Sequence, residues 1–210
     1  MPVHLPYDIM NYLIGVCNFT LDPGNLRAFW RHLDSINDAW AAHSIGWRHS
    51  LNALPWPLGL YGDDANIGLI NSPYSKVFGL WMSVVLYRPR STRLSRFLLF
   101  SIEQDKVVSV EATIYPVLEL IKESCNRLTR DGVHGIHCVV SEVRGDQLFF
   151  RYLFKHSSWW KSSSVCFRCK CNTSDLPYTN YDGWQATART TEAFIEEELP
   201  EKKCHSVCSF

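Results

Sequence analysis

The sequence predicts an α/β protein whose sheet combines antiparallel and parallel strands. Two apolar runs of strand length, 76–89 (KVFGLWMSVVLYRP) and 95–103 (SRFLLFSIE), are joined through Pro89 and a polar segment, which is typical of a hairpin. A helical pattern and another strand come later, so the last strand would be reached by a crossover helix. The prediction is a mixed sheet made of a three-strand meander, a crossover helix and a fourth strand parallel to the first.

The segment before the hairpin predicts a helix and a first strand. Asp22 is a good N-cap and Pro23 suits the first helical turn. Apolar residues then recur every three or four positions, as on one face of an amphipathic helix: Leu26, Phe29, Trp30, Leu33, Ile36 and Trp40. Beyond a Pro- and Gly-rich stretch, a short strand is predicted over 58–61, ending in a turn at 62–64.

The crossover helix and the fourth strand are predicted from the middle of the chain. The helical spacing includes Val110, Ile114, Val117, Leu118, Ile121, Cys125 and Leu128. Pro116 is tolerated near the first turn of that helix. Residues 136–143 (IHCVVSEV) predict the fourth strand, which we expect in the middle of the sheet because it is strongly apolar. After Asp146, residues 147–154 (QLFFRYLF) return to helical spacing.

Composition limits the classes of protein to be considered. The chain has 210 residues, 46% of them hydrophobic, with 21 basic and 21 acidic residues, so overall charge does not indicate a polyanion-binding protein. We divide it into an N-terminal helical segment (1–54), a sheet-forming core (55–155) and a Cys-rich segment with a tail (156–210). No secretory signal and no apolar stretch of about 18 residues is visible, so we expect a soluble intracellular protein that does not enter a membrane. No small-molecule substrate site is indicated.

Two carboxylates follow strands that the predicted topology makes neighbours. Asp63 follows the first strand and Asp146 follows the fourth, and adjacent strands lie about 4.8 Å apart. Two close carboxylates repel each other and attract a cation, and hard oxygen ligands suit Mg²⁺ or Mn²⁺. Asp64 should point away from Asp63 and is the poorer candidate. The alternative is that both Asp63 and Asp146 are ordinary turn residues.

The cysteines predict a second kind of metal site. In a reducing compartment, clustered cysteines indicate metal binding rather than disulfides. Cys166 and Cys169 have the spacing of a zinc knuckle, and the tail offers Cys204 and Cys208 as further ligands, with His156 and His205 as other choices. Such a Zn²⁺ would be structural, stapling a segment that has little core of its own. Free thiols are the alternative. Outside this cluster, Cys17, Cys125 and Cys138 are expected to be buried small hydrophobes.

Several of these segments together resemble DDE-type transposases with an RNase H-like core, in particular the CACTA and Plavaka-like groups and related dinoflagellate proteins. The resemblance rests on 60–87 (LYGDDANIGLINSPYSKVFGLWMSVVLY), the crossover helix, 139–154 (VVSEVRGDQLFFRYLF), the CFRC at 166–169 and the aromatic turn at 176–184 (LPYTNYDGW). It implies that Asp63 and Asp146 are catalytic ligands of Mg²⁺ or Mn²⁺. It also implies a zinc element at Cys166 and Cys169, a DNA partner and a nuclear location.

The sequence departs from that family at the third acidic residue. In the family a Glu lies on a helix well beyond the zinc element, and the acidic run at 196–198 comes too early to match it. The resemblance therefore implies an incomplete strand-transfer or nuclease domain, transposon-derived and inactive alone. Two other hypotheses stay open: a non-enzymatic zinc-containing module that binds nucleic acid or protein, and an unrelated α/β protein.

Overall fold

The structure is a computed structural model that describes residues 2–35, 54–66, 76–146 and 149–150. Two helices begin this part of the chain, α1 (Pro6–Gly15) and α2 (Pro23–Ser35). Asp22 caps α2 as predicted, because its Oδ1 accepts a hydrogen bond from the Asn25 amide at 2.7 Å. Helix α1 was not predicted from the sequence; it begins at a proline and buries Met10 completely.

In the described residues, four strands form one mixed sheet. They are β1 (Trp56–Asn66), β2 (Lys76–Val84), β3 (Arg96–Glu103) and β4 (Cys138–Gly145), and their spatial order is β3-β2-β1-β4. β1 pairs antiparallel with β2, β2 pairs antiparallel with β3, and β1 pairs parallel with β4. The predicted meander, crossover and parallel fourth strand are therefore confirmed.

The crossover contains helix α3 (Tyr115–Arg130), preceded by a π-helical turn over Val110–Ile114. The side chain of Ser109 caps that turn by accepting a hydrogen bond from the Ala112 amide at 3.0 Å. Pro116 lies in the first turn of α3, as predicted, where proline is tolerated. α3 contacts both α1 and β4, and it contributes to a core that includes Leu58, Leu80, Phe100, Ile121 and Leu128.

Two predictions about individual strands are wrong. β1 does not end at residue 61, because Asp63 and Asp64 pair with Gly79 and Phe78 of β2 and the strand continues to Asn66. Pairing of the backbone with β2 outweighs the turn preference of a Gly-Asp-Asp sequence. β4 is not central either, since it lies at the edge of the four described strands. Its first half, from Cys138 to Val140, is buried all the same.

The described sheet and helices α1, α2 and α3 belong to one compact unit, which ends at Gly145. A second unit begins at Asp146, and the structure describes Asp146, Phe149 and Phe150 of it. In the described ranges, no helix combines the length and apolar composition that a bilayer crossing requires.

Candidate metal centre

The register between the two parallel strands determines where the predicted carboxylates lie. The last pair of the β1–β4 ladder is Gly62 with Gly145. Asp63 and Asp146 each follow one residue later, at the same level of the sheet. Asp146 is bonded directly to Gly145, so the end of β4 fixes its backbone position. The predicted neighbourhood of these two residues therefore follows from the strand pairing.

Three carboxylates converge at this point. Asp63, Asp64 and Asp146 each offer an oxygen atom, and these atoms all lie within 4.8 Å of one another. Asp63 and Asp64 are half-buried, while Asp146 is exposed. No other group of three His, Cys, Asp or Glu side chains meets this condition in the described parts of the chain.

Asp63 lies on the face of β1 that also carries Tyr61, two residues earlier in the strand. The Tyr61 hydroxyl donates a hydrogen bond to Oδ2 of Asp63. The partner of Asp63 on β2 is Gly79, which has no side chain of its own. The indole of Trp81 occupies that space, because a Cβ atom at Gly79 would lie only 2.8 Å from its Cζ2 and Cζ3. Asp63 therefore lies beside an aromatic surface and is oriented by a phenol.

Asp64 has a different set of neighbours. Its Oδ2 lies 3.5 Å from Nζ of Lys76 and 3.4 Å from Nε2 of Gln104, both of which can donate to it. The Asp64 side chain is 20% exposed and that of Lys76 is 47% exposed, so the ion pair is partly screened by solvent. These long contacts hold the carboxylate loosely and leave it acceptor capacity for a cation.

Asp146 also caps the segment that follows it. Its Oδ1 accepts a hydrogen bond from the Phe149 amide at 2.7 Å, and its backbone carbonyl accepts one from the Phe150 amide at 3.1 Å. This is the arrangement of an N-cap residue at the start of a helix. A carboxylate has two oxygens and about four lone-pair sites, so one capping bond still allows Asp146 to bind a metal ion.

The donor chemistry of the cluster fits a hard divalent cation. Three carboxylates this close repel one another unless a positive charge lies between them. Oxygen-only ligand sets suit Mg²⁺, Mn²⁺ or Ca²⁺ and disfavour Zn²⁺, which prefers nitrogen and sulfur. Residues Asp63, Asp64 and Asp146 would hold the ion.

The structure places the sequence-predicted residues unequally. It brings Asp63 and Asp146 together, as the topology predicted. Asp64 pairs with the buried Phe78, so its side chain leaves the opposite face of β1 from that of Asp63, as strand alternation predicted. One of its oxygens nevertheless lies within 4.8 Å of those of Asp63 and Asp146, so the poorer candidate of the sequence belongs to the cluster. The predicted zinc ligands lie outside the described residues: Cys166, Cys169, Cys204 and Cys208.

In comparisons with protein-family models, with curated proteins and with solved structures, nothing matches this chain.

Proposed function

We propose that this chain is an RNase H-like domain of the DDE transposase type, which binds Mg²⁺ or Mn²⁺ at Asp63, Asp64 and Asp146 and cleaves phosphodiester bonds in DNA. The observation that carries the proposal is the approach of three carboxylate oxygens to within 4.8 Å of one another. The strand order β3-β2-β1-β4, with a helical crossover into a parallel edge strand, supports the RNase H-like assignment. A nuclear location belongs to the same proposal.

The contacts of each carboxylate indicate how it would act as a metal ligand. A bound divalent cation would supply Lewis-acid stabilisation of the phosphate and a more acidic water or hydroxyl group. Asp63 would be a well-oriented ligand, because the Tyr61 hydroxyl holds its carboxylate. Asp64, held by long contacts to Lys76 and Gln104, would adjust to the ion.

The presence of Asp64 in the cluster bears on whether the chain can be catalytically active by itself. The family resemblance implies an inactive domain because the Glu of the late helix has no match. Asp64 of β1 is a third carboxylate and offers an oxygen ligand in place of that Glu. This supports slow, metal-dependent cleavage by the chain alone rather than complete inactivity.

Cation binding is tested by titrating Mn²⁺ into the full chain by calorimetry. We expect saturable binding, and an affinity at least about tenfold lower for Asp63→Asn and for Asp146→Asn. Asn is as good an N-cap as Asp, so Asp146→Asn removes the charge and keeps the cap. Asp131→Asn is the matched control, because Asp131 is an exposed carboxylate paired with Arg130. Absence of saturable Mn²⁺ binding by the folded chain would refute the proposal.

Cleavage is tested separately with supercoiled plasmid DNA in Mn²⁺ buffer. We expect nicking that EDTA and Asp146→Asn abolish and that Asp131→Asn does not. Mn²⁺ binding without nicking would overturn the catalytic part of the proposal and leave a cation-binding remnant of a transposase.

A structural Zn²⁺ at Cys166 and Cys169 is a second proposal, and it rests on the sequence alone. The spacing of the two cysteines supports it, with Cys204 and Cys208 as the further ligands. A chain that bound zinc and nucleic acid but no Mn²⁺ would be the non-enzymatic module considered from the sequence.

A further inference from the structure

In the described residues, the face of the sheet that carries Asp63 is partly exposed to solvent. Leu60, Leu80 and Phe100, on the other face, are only 1–3% exposed. Tyr61 and Trp81, their neighbours in sequence, are half-buried, and Leu98 is 40% exposed. The alternation shows that one face forms the core and the other presents aromatic side chains outward.

Tyr61, Trp81 and the Arg96 side chain of β3 form a contiguous surface on this face, which we call the stacking face. Tyr61 and Trp81 are cross-strand partners, with ring centroids 5.8 Å apart and ring planes inclined at 42°. The guanidinium carbon of Arg96 lies 4.9 Å from the Tyr61 ring centroid, in cation–π geometry. The Trp81 indole extends over Gly79, where a side chain would displace it. Each member is thus held in place by another or by the backbone.

The positive charge of the stacking face is available to a ligand. Arg96 is exposed and has no carboxylate within ion-pair distance among the residues that the structure describes. Arg144 differs from Arg96 because it has an acidic partner: its Nη2 is 2.6 Å from Oε2 of Glu142, which offsets its charge. The guanidinium can bind an anionic group, and the aromatic rings can stack on a flat, unsaturated ring. The stacking face is therefore complementary to a ligand that carries both.

The stacking face leads directly to the metal centre. Asp63 lies two residues beyond Tyr61 on the same face of β1, which corresponds to about 7 Å along a strand. Gly79, which the Trp81 indole covers, is the cross-strand partner of Asp63. A ligand lying against Trp81 would therefore have its next unit beside the carboxylate cluster.

We propose that the stacking face binds single-stranded nucleic acid, with a base against Trp81 and a backbone phosphate on Arg96, and directs the strand toward Asp63. Aromatic platforms combined with arginine are how proteins hold unpaired bases without reading their sequence. Bases inside a duplex are already stacked and offer no free ring face, so an unpaired end or a distorted segment is the preferred ligand. That the bound strand runs along the sheet toward the carboxylate cluster rests on the proposed function.

The test uses fluorescence anisotropy with a labelled oligothymidylate of about a dozen nucleotides, a length within the usual site size of such platforms, in buffer containing EDTA. We expect Trp81→Ala to weaken binding at least about fivefold, the lower end for loss of one stacked base. Trp81→Phe should restore most of the affinity, since it keeps an aromatic ring. Arg96→Ala should weaken binding and reduce the dependence of affinity on salt concentration by about one phosphate contact.

Arg130→Ala is the matched control, because Arg130 is another exposed arginine and lies on α3, outside the stacking face. Equal affinity of the wild-type chain, Trp81→Ala and Arg96→Ala for the oligonucleotide would overturn the proposal. So would tighter binding of the corresponding duplex, or selective binding of an acidic peptide instead of the oligonucleotide. Circular dichroism of each variant separates loss of binding from loss of fold.

The two proposals fail in different experiments. Oligonucleotide binding is measured without a divalent cation and reports on the stacking face. Mn²⁺ binding is measured without nucleic acid and reports on the carboxylates. Oligonucleotide binding with no Mn²⁺ binding would refute the proposed function and retain the stacking face, and the reverse result would do the opposite.

Discussion

The Tyr61 hydroxyl donates a hydrogen bond to Oδ2 of Asp63, two residues further along the same strand. Because alternate residues of a strand share a face, this bond joins the aromatic surface of the sheet to the carboxylate cluster. The orientation of the Asp63 carboxylate therefore depends on a side chain that is not itself a candidate ligand.

Replacement of that phenol should weaken cation binding. We expect Tyr61→Phe to lower the Mn²⁺ affinity about tenfold, because groups that orient a metal ligand usually contribute at least that much. The free energy of unfolding should fall by only about 1 kcal/mol, the usual net value of one hydrogen bond. Mn²⁺ calorimetry and urea denaturation measure the two effects. Tyr12→Phe is the control, since Tyr12 is 58% exposed on α1, and wild-type Mn²⁺ affinity in Tyr61→Phe would contradict the prediction.

A side chain at Gly79 should disturb the sheet next to Asp63. We expect Gly79→Ala to reduce the free energy of unfolding by about 1–3 kcal/mol, the usual cost of overpacking. The added Cβ would lie 2.8 Å from two atoms of the Trp81 indole, which must then move. Urea denaturation measures the loss. Ser101→Ala, at the β3 position paired with Gly79, should change stability by much less, and equal stability of both variants would argue against the close contact.

The buried thiols should resist modification. Burial raises the pKa of both Cys125 and Cys138 to about 12, with the nearby Cys125 adding to the effect at Cys138. Cys17 is exposed, so the prediction that it is buried is wrong. We expect iodoacetamide at pH 8 to alkylate Cys17 and to spare Cys125 and Cys138 until the protein unfolds. Peptide mapping after labelling identifies the modified residues. Rapid alkylation of Cys125 in the folded protein would contradict this account.

The same thiols should make the protein less stable in alkali. Above pH 9 the unfolded chain loses thiol protons that the folded chain retains up to about pH 12, so the free energy of unfolding falls across that range. The slope is about 1.4 kcal/mol per pH unit for each thiol that titrates independently. Urea denaturation at pH 8 and pH 10 measures it. The double variant Cys125→Ala/Cys138→Ala should show a shallower decline, and an identical decline would exclude the thiols as its cause.

The zinc proposal predicts a metal content. We expect the purified chain to contain about one equivalent of Zn²⁺, the stoichiometry of a four-cysteine site. Cys166→Ser and Cys169→Ser should each remove most of it, because a missing thiolate opens the site. Mass spectrometry of the metal measures the content, with Cys17→Ser as the control. Full zinc content in Cys166→Ser would show that Cys166 is not a ligand.

The sequence predicted the parts of the fold that depend on local pattern. The apolar runs of β2 and β3 and the helical spacing of α3 identified those elements, and the crossover predicted the parallel return of β4. It did not predict α1. It also ended β1 too early, because pairing of Asp63 and Asp64 with β2 is a tertiary effect that local composition does not reveal.

The candidate site was predictable to a similar extent. Strand order alone brought Asp63 and Asp146 together. Asp64 was kept only as the poorer candidate, because adjacent residues of a strand normally face opposite sides of the sheet. The stacking face was missed for a related reason. Tyr61, Trp81 and Arg96 come from three strands, and only the cross-strand register shows that they are neighbours.

The parallel pairing of β1 with β4 has a consequence for how the protein matures. Its last pair joins Gly62 to Gly145, and the hairpin and the crossover helix lie between these two positions in the chain. Contacts between such distant positions form late and slowly during folding. On a ribosome, the first two carboxylates would emerge long before the third. Capture of a cation would therefore mark completion of the sheet, and a folding intermediate that lacks β4 would hold neither the ion nor a working site.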